Sequence, residues 1–323
     1  MPADEFDIIK RLFAPLAIHP GARGLIDDVA VLEVNGALVI TADAIVEGVH
    51  FRASDPIAAV AKKALRVNLS DLAAKGAKPV GAMLSLIWPD ARPAAQIEDF
   101  ARGLGEDLRL YGVALLGGDT CATSGPLTIA ITAFGQPLGV RTPSRADARP
   151  GEDIWITGTI GDAWLGFEQS DRLNADHRAF ALARTRLPEP RTAFAAAIAR
   201  LARAAMDISD GLEADALKLA EASGAMLRID ADRIPLSAAA RAWLAGEAAL
   251  SYGRLFTWGD DYEIFFTADP RSRGEIAAAA EAAGVQVTRI GEVAPGSGLI
   301  LGKADGTPLR RAPSSGHRHR LGR

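Results

Sequence analysis

Residues 139–151 read GVRTPSRADARPG, and this stretch decides how the 323-residue chain is organised. It is rich in Pro, Arg and Gly and has no hydrophobic period, so it builds neither a helix face nor a strand face. A domain boundary is therefore expected here. An N-terminal domain spans residues 1–138, a linker 139–150 and a C-terminal domain 151–323. Two domains also suit the length, at roughly 100–200 residues each.

Strands and helices mix on both sides of that linker. On the N-terminal side, Ala37–Thr41 (ALVIT) is a β-branched apolar run that reads as a strand ending before Asp43. Asp55-Pro56 then caps a helix over 57–75 that stops at Gly76. Val80–Trp88 reads as a strand closed by Pro89, 93–111 as a helix, Val113–Leu116 as a strand ending in Gly117-Gly118-Asp119, and Leu127–Phe134 as another strand. On the C-terminal side, Asp153–Thr157 is a strand running into the Gly158–Gly161 turn. A helix over 191–205, a break at Met206–Gly211, a helix at Leu212–Ala222 and a strand at Met226–Asp230 follow. The last third reads as strand (Tyr262–Thr267), helix (Arg273–Ala283) and strand (Val285–Ile290). The fold class is α/β (α+β), with two mixed domains in layers.

Composition excludes several classes. Hydrophobic residues at 49% and charged residues at 24% exclude a disordered chain. Lys and Arg number 36 against 40 Asp and Glu, a net charge of −4, which argues against nucleic acid as a partner. Cys121 stands alone, so there is no internal disulfide and no Cys-rich metal site. The start, MPADEFDIIK, lacks the basic region and apolar stretch of a secretory signal. Apolar runs such as Val80–Trp88 fall short of the ~20 residues that span a bilayer. A cytoplasmic protein without a membrane partner is expected.

The informative feature is where the aspartates fall. Asp27-Asp28 precede the apolar run VAVLEV, Asp43 follows one, and Asp119 ends a strand. Asp207 and Asp210 lie in MDISDGL, Asp260-Asp261 in GDDYEIFF, and Asp71 on a helix in NLSDLAAKGA. Acids at the ends of apolar elements are rigidly held yet aimed at an opening. Mg²⁺ takes one or two carboxylates per ion and completes its shell with water and phosphate oxygens, so a converging set implies several ions. Taken singly, each acid reads as a cap or an Asx-turn. Gly117-Gly118-Asp119-Thr120 lets backbone N–H groups approach an anion, or simply makes a tight turn. His50 in EGVHF is either a satisfied histidine or a donor to an anionic substrate. Arg145 is either a solvated charge or a phosphate clamp. No P-loop, protein-kinase set, G-x-S-x-G or H-E-x-x-H is present.

In order and spacing, DDVAV (27–31), TAD (41–43) with EGVHF (47–51), VNLSDLAA (67–74), GGDT (117–120), MDISDGL (206–212) and GDDYE (259–263) resemble the thiamine-monophosphate kinase family. That family belongs to the aminoimidazole ribonucleotide synthetase-like superfamily. The resemblance implies ATP-dependent phosphorylation of thiamine monophosphate to thiamine diphosphate, in a homodimer formed through the sheet of the N-terminal domain. It implies that Asp28, Thr41, Asp43, Asp71, Asp119, Asp207 and Asp210 hold several Mg²⁺ ions. It assigns Gly118, Asp119, Arg145 and Ser209 to ATP, and His50, Asp260 and His317 to thiamine monophosphate. The chain departs from the family pattern at Ile26 (for Gly), Ala42 (for Thr or Ser), Asp260 (for Glu) and His317 (for an aromatic residue). The alternatives are a ring-closing synthetase of the same superfamily, or a non-catalytic nucleotide- or metal-binding homologue.

Overall fold

The computed structural model describes residues 5–26, 29–246 and 252–303. Asp28 and His317 lie outside them. The chain divides into two units, Met1–Leu72 with Ala77–Pro137, and Ala73–Gly76 with Leu138–Arg323. Residues 139–150 contain no helix or strand, yet Arg141 donates to the carbonyls of Ala202 (2.9 Å) and Arg203 (3.2 Å).

The first unit comprises α1 (Glu5–Ile8), β1 (Val39–Val46), α2 (Ile57–Ala74), β2 (Ala77–Pro89), α3 (Ala95–Tyr111), β3 (Ala114–Thr123) and β4 (Thr128–Pro137). The sheet order is β1-β4-β2-β3. The β2–β3 pair is parallel and is joined through α3, as a parallel pair requires a crossover. On β4, Ile129, Ile131 and Ala133 are buried while Ala130, Thr132 and Phe134 are half-buried, the period of two that one covered face imposes. α2 lies on the covered face, with Leu65, Leu69 and Leu72 fully buried. It stops at Gly76, whose φ of +63° is left-handed. The opposite face shows Ile40, 58% exposed, paired with Phe134 across β1 and β4.

The second unit comprises β5 (Asp153–Thr157), α4 (Asp162–Glu168), α5 (Ala175–Arg186), α6 (Ala195–Leu201), β6 (Ala205–Asp207), α7 (Leu212–Ser223), β7 (Met226–Asp230), α8 (Ala238–Gly246), α9 (Tyr252–Thr257), β8 (Ile264–Ala268), α10 (Arg273–Ala283), β9 (Val287–Ala294) and β10 (Gly298–Gly302). Its sheet runs β10-β7-β9-β5-β8-β6. All five residues of β5 are buried. One of its faces packs on Trp164, Leu212 and Leu227, and the other on Phe194, Ile198 and Ile276. Burial on both sides explains why this strand shows no polar alternation.

The structure corrects the sequence reading in three places that bear on the site. β1 continues through Asp43 to Val46, so Asp43 is inside the strand rather than after it. β3 continues through Gly117-Gly118-Asp119 to Thr123, so this segment is strand interior and not a turn. A Cβ at Gly118 would stand 1.7 Å from the Leu84 carbonyl oxygen of β2, so close approach of that backbone requires glycine. The helix expected over 191–205 also splits. Arg203 N–H donates to Thr267 O (2.7 Å) and Ala205 pairs with Phe266, so the free edge of β8 draws 205–207 into a strand despite their alanine-rich lead-in.

Candidate active site

In the first unit, β1 and α2 bring three expected site residues together. Thr41 Oγ1 donates to Asp71 Oδ2 at 2.5 Å. Two residues along the same strand, the Asp43 N–H donates to Asn68 Oδ1 at 3.0 Å. Asn68 is fully buried, and its own amide donates to Ala64 O, which fixes its orientation. Asn68 and Asp71 stand three apart and so share one helix face. Asn68 thus pins the edge strand that carries Asp43. Its role was unread, although an asparagine one helical turn before Asp71 was the available signal.

Asp119 is placed differently. The row through Asp43 runs Ile131, Leu84, Gly118, while Asp119 pairs with Ser85 in the neighbouring row. Asp43 and Asp119 are three strand spacings apart, about 14 Å. Asp119 lines a cleft of about 120 Å³ with Gly117, Thr120, Phe13, Val29 and Met83. His50 follows β1. Its Nδ1 accepts from Val46 N–H at 3.1 Å, which leaves the proton on Nε2 and makes that nitrogen the donor. Its carbonyl accepts from Lys63 Nζ at 2.7 Å.

In the second unit, two loops interlock. Ile208 N–H donates to Glu263 O (2.9 Å), Asp260 N–H to Ser209 O (3.0 Å) and Tyr262 N–H to Ile208 O (2.9 Å). Close approach of the loops requires Gly259, where a Cβ would lie 1.8 Å from Ser209 O. The loops therefore bring Asp207, Ser209, Asp210 and Asp260 into one region. Three acids that the sequence reading left unassigned hold this region in shape. Asp215 Oδ2 accepts from the N–H groups of Ser209 (3.0 Å) and Asp210 (2.9 Å). Burial pushes its carboxyl up, against the pull of Lys218, which pairs with both Asp210 and Asp215. Glu263 is fully buried and takes Arg191 (2.5 Å), Arg184 (2.7 Å) and the Thr157 hydroxyl (2.7 Å). Asp261, also buried, accepts from Gly161 N–H (2.9 Å) and Ala163 N–H (3.4 Å), and burial drives its carboxyl well above the usual carboxylate range.

Arg145 does not join Ser209. Its carbonyl accepts from Ser223 Oγ (2.8 Å) at the end of α7, whereas Ser209 precedes the start of that helix. The 12 residues of α7 span about 18 Å. Among the described residues, no group of three or more His, Cys, Asp or Glu side chains gathers to hold a metal ion. The oxygen-only donors at Thr41, Asp43 and Asp71, and at Asp207 and Asp210, still suit a hard cation that asks for one or two carboxylates. Among those residues, no helix is long and apolar enough to cross a membrane.

Residues 26–136 match the family model of the AIR synthase related protein, N-terminal domain, and residues 149–303 that of the C-terminal domain. The thiamine-monophosphate kinase of Caulobacter vibrioides is 46% identical over 305 residues, covering 92% of this chain and 86% of the relative. The chain belongs to the thiamine-monophosphate kinase family. Solved structures of the family agree. The thiamine-monophosphate kinase from Stenotrophomonas maltophilia K279a superposes with a TM-score of 0.78 at 36% identity, covering 88% of this chain and 90% of that one. AaThiL complexed with AMPPCP and TMP gives 0.77 at 29% identity, covering 90% of each.

Proposed function

We propose that this chain transfers the γ-phosphoryl group of ATP to thiamine monophosphate, forming thiamine diphosphate and ADP. Membership of the thiamine-monophosphate kinase family over nearly the whole chain carries the reading. The sister activity, ATP-driven ring closure, is not favoured by relatives that bear the kinase name. The expected setting is the cytoplasm. A homodimer would close the sheet face that exposes Ile40 and Met83.

The chemistry needs little proton handling. The second pKa of a phosphate monoester is about 6, so the acceptor is largely dianionic at neutral pH. One of its oxygens attacks the γ-phosphorus, the bond to the β–γ bridging oxygen breaks, and ADP leaves with that electron pair. The task is to bring two anions into line. Thr41, Asp43, Asp71 and Asp119 of the first unit, with Asp207 and Asp210 of the second, would hold Mg²⁺. Asp28, outside the described residues, belongs to the same proposal. Bound there, Mg²⁺ would neutralise the facing phosphates. Gly118, Asp119, Ser209 and Arg145 are the proposed ATP contacts. Arg145, set at the far end of α7, would meet a different part of the nucleotide from Ser209.

Charge also sorts the contacts to thiamine monophosphate. A carboxylate repels a phosphate, so Asp260 would meet the cationic thiazolium or the pyrimidine amino group. His50, protonated on Nε2, has a donor for a phosphate oxygen. His317, outside the described residues, is proposed to stack on a ring of the substrate.

The test is direct. Purified protein with ATP, thiamine monophosphate and Mg²⁺ is expected to form thiamine diphosphate and ADP in equal amounts. Folded protein that forms none would contradict the proposal.

A further inference from the structure

The segment Asp260–Tyr262 holds an unusual backbone. Asp260 has φ +68° and Tyr262 φ +51°, both left-handed without being glycine. Aspartate tolerates that region, but a bulky tyrosine does so only when its surroundings over-determine it. Here they do. Between the two residues, Asp261 is buried and ties the segment to the first turn of α4 through Gly161 and Ala163. The N–H groups of Asp260 and Tyr262 are both taken by the 206–211 loop. With its backbone so turned, the Tyr262 side chain is buried, and its hydroxyl donates back to Asp260 Oδ1 at 3.2 Å.

We infer that Tyr262 and Asp261 are positioning residues that aim the Asp260 carboxylate at the cationic organic part of thiamine monophosphate, and so set selectivity for it. This rests on the reading of Asp260 as a substrate contact. The Asp260 carboxylate stands a single methylene from its Cα, so it has little reach of its own. Its direction comes from the backbone that Asp261 fixes, and its rotamer from the Tyr262 hydroxyl. Neither supporting residue need touch substrate.

The experiment measures KM for thiamine monophosphate, KM for ATP, and kcat in the full-length protein. Tyr262→Phe keeps the buried ring and removes only the hydroxyl. It is expected to raise the KM for thiamine monophosphate about tenfold, the size of losing one hydrogen bond to a charged group, while kcat and the KM for ATP change by less than about twofold. The double variant Asp260→Ala/Tyr262→Phe is expected to be no worse than Asp260→Ala alone, because the hydroxyl acts only through that carboxylate. Asp261→Ala, where it folds, is expected to match Asp260→Ala in KM. If Asp260→Ala raises KM and Tyr262→Phe does not, positioning is overturned and the substrate contact stands. If Asp260→Ala itself leaves KM unchanged, the substrate contact is wrong and the inference falls with it. An equal rise in both KM values would also overturn it, since that is what general loosening produces.

Discussion

The acids of the two units are held by different means. In the first unit, Thr41 and Asp43 are carried by β1 and Asp71 by α2, and strand and helix are locked by the Thr41–Asp71 bond and by Asn68, which accepts from Asp43 N–H. In the second unit, Asp207 ends a three-residue strand and Ser209, Asp210 and Asp260 lie on loops. Loops have no ladder of their own, so these are held by buried carboxylates that serve as struts: Asp215 beneath 209–210, Asp261 beneath 260–262, and Glu263 behind both. The contrast shows two routes to a rigid site. Regular elements need few specific contacts, whereas a site on loops needs a fully satisfied polar network behind it.

That contrast can be broken by substitution. The largest effect is expected at Glu263. Glu263→Gln leaves Arg191 and Arg184 facing an uncharged amide inside the protein, a loss of about 3–5 kcal/mol in urea unfolding. A loss below about 1 kcal/mol would mean that the arginines are solvated and the strut carries no load. Next is Asp215→Ala, which strands two loop N–H groups and frees Lys218. About 2–3 kcal/mol should go, together with most of the turnover. In the first unit, Asn68→Ala deletes one lock and should cost only about 1–2 kcal/mol. Equal losses at Asn68 and Glu263 would erase the distinction.

The smallest expected change is a slope. Asp261 has a folded pKa raised by burial above its unfolded value, near 3.9. Its favourable contribution is therefore complete below that unfolded value and is lost as pH rises through the folded one. Asparagine cannot ionise. Whatever offset Asp261→Asn starts with, its stability should gain on the wild type as pH is raised from 4 upward. Parallel unfolding curves across that range would show the carboxyl to be unperturbed.

These two modes of support also explain what could be read from residues alone. β4, β5 and α2 were legible because each buries a face or both faces, and that burial imposes a hydrophobic pattern. Several of the candidate acids stand out in the sequence as doubled or glycine-flanked aspartates, whereas Asp43, Asp71 and Asp207 do not. The supporting roles of Asp261 and Glu263 were not legible, because their partners lie far along the chain, 100 residues from Gly161 N–H to Asp261 and 106 from Thr157 to Glu263. No local pattern records such a contact. β3 was cut short for a similar reason: Gly117-Gly118 carries the signature of a turn, but Leu84 of β2 is what demands a glycine. β6 was missed because Ala205 reads as the end of an alanine-rich helix and Met206–Asp207 as part of a break, whereas the free edge of β8 draws all three into a strand.

Acids of both units are proposed to serve one reaction. The most direct test is kcat for thiamine diphosphate formation by Asp43→Asn, Asp207→Asn and the double variant, at saturating ATP, thiamine monophosphate and Mg²⁺. Each single substitution is expected to lower kcat by about 100-fold or more, and the double to lose little beyond the worse single, as groups acting as a unit do. Losses that multiply, or a single variant with unchanged kcat, would contradict the account.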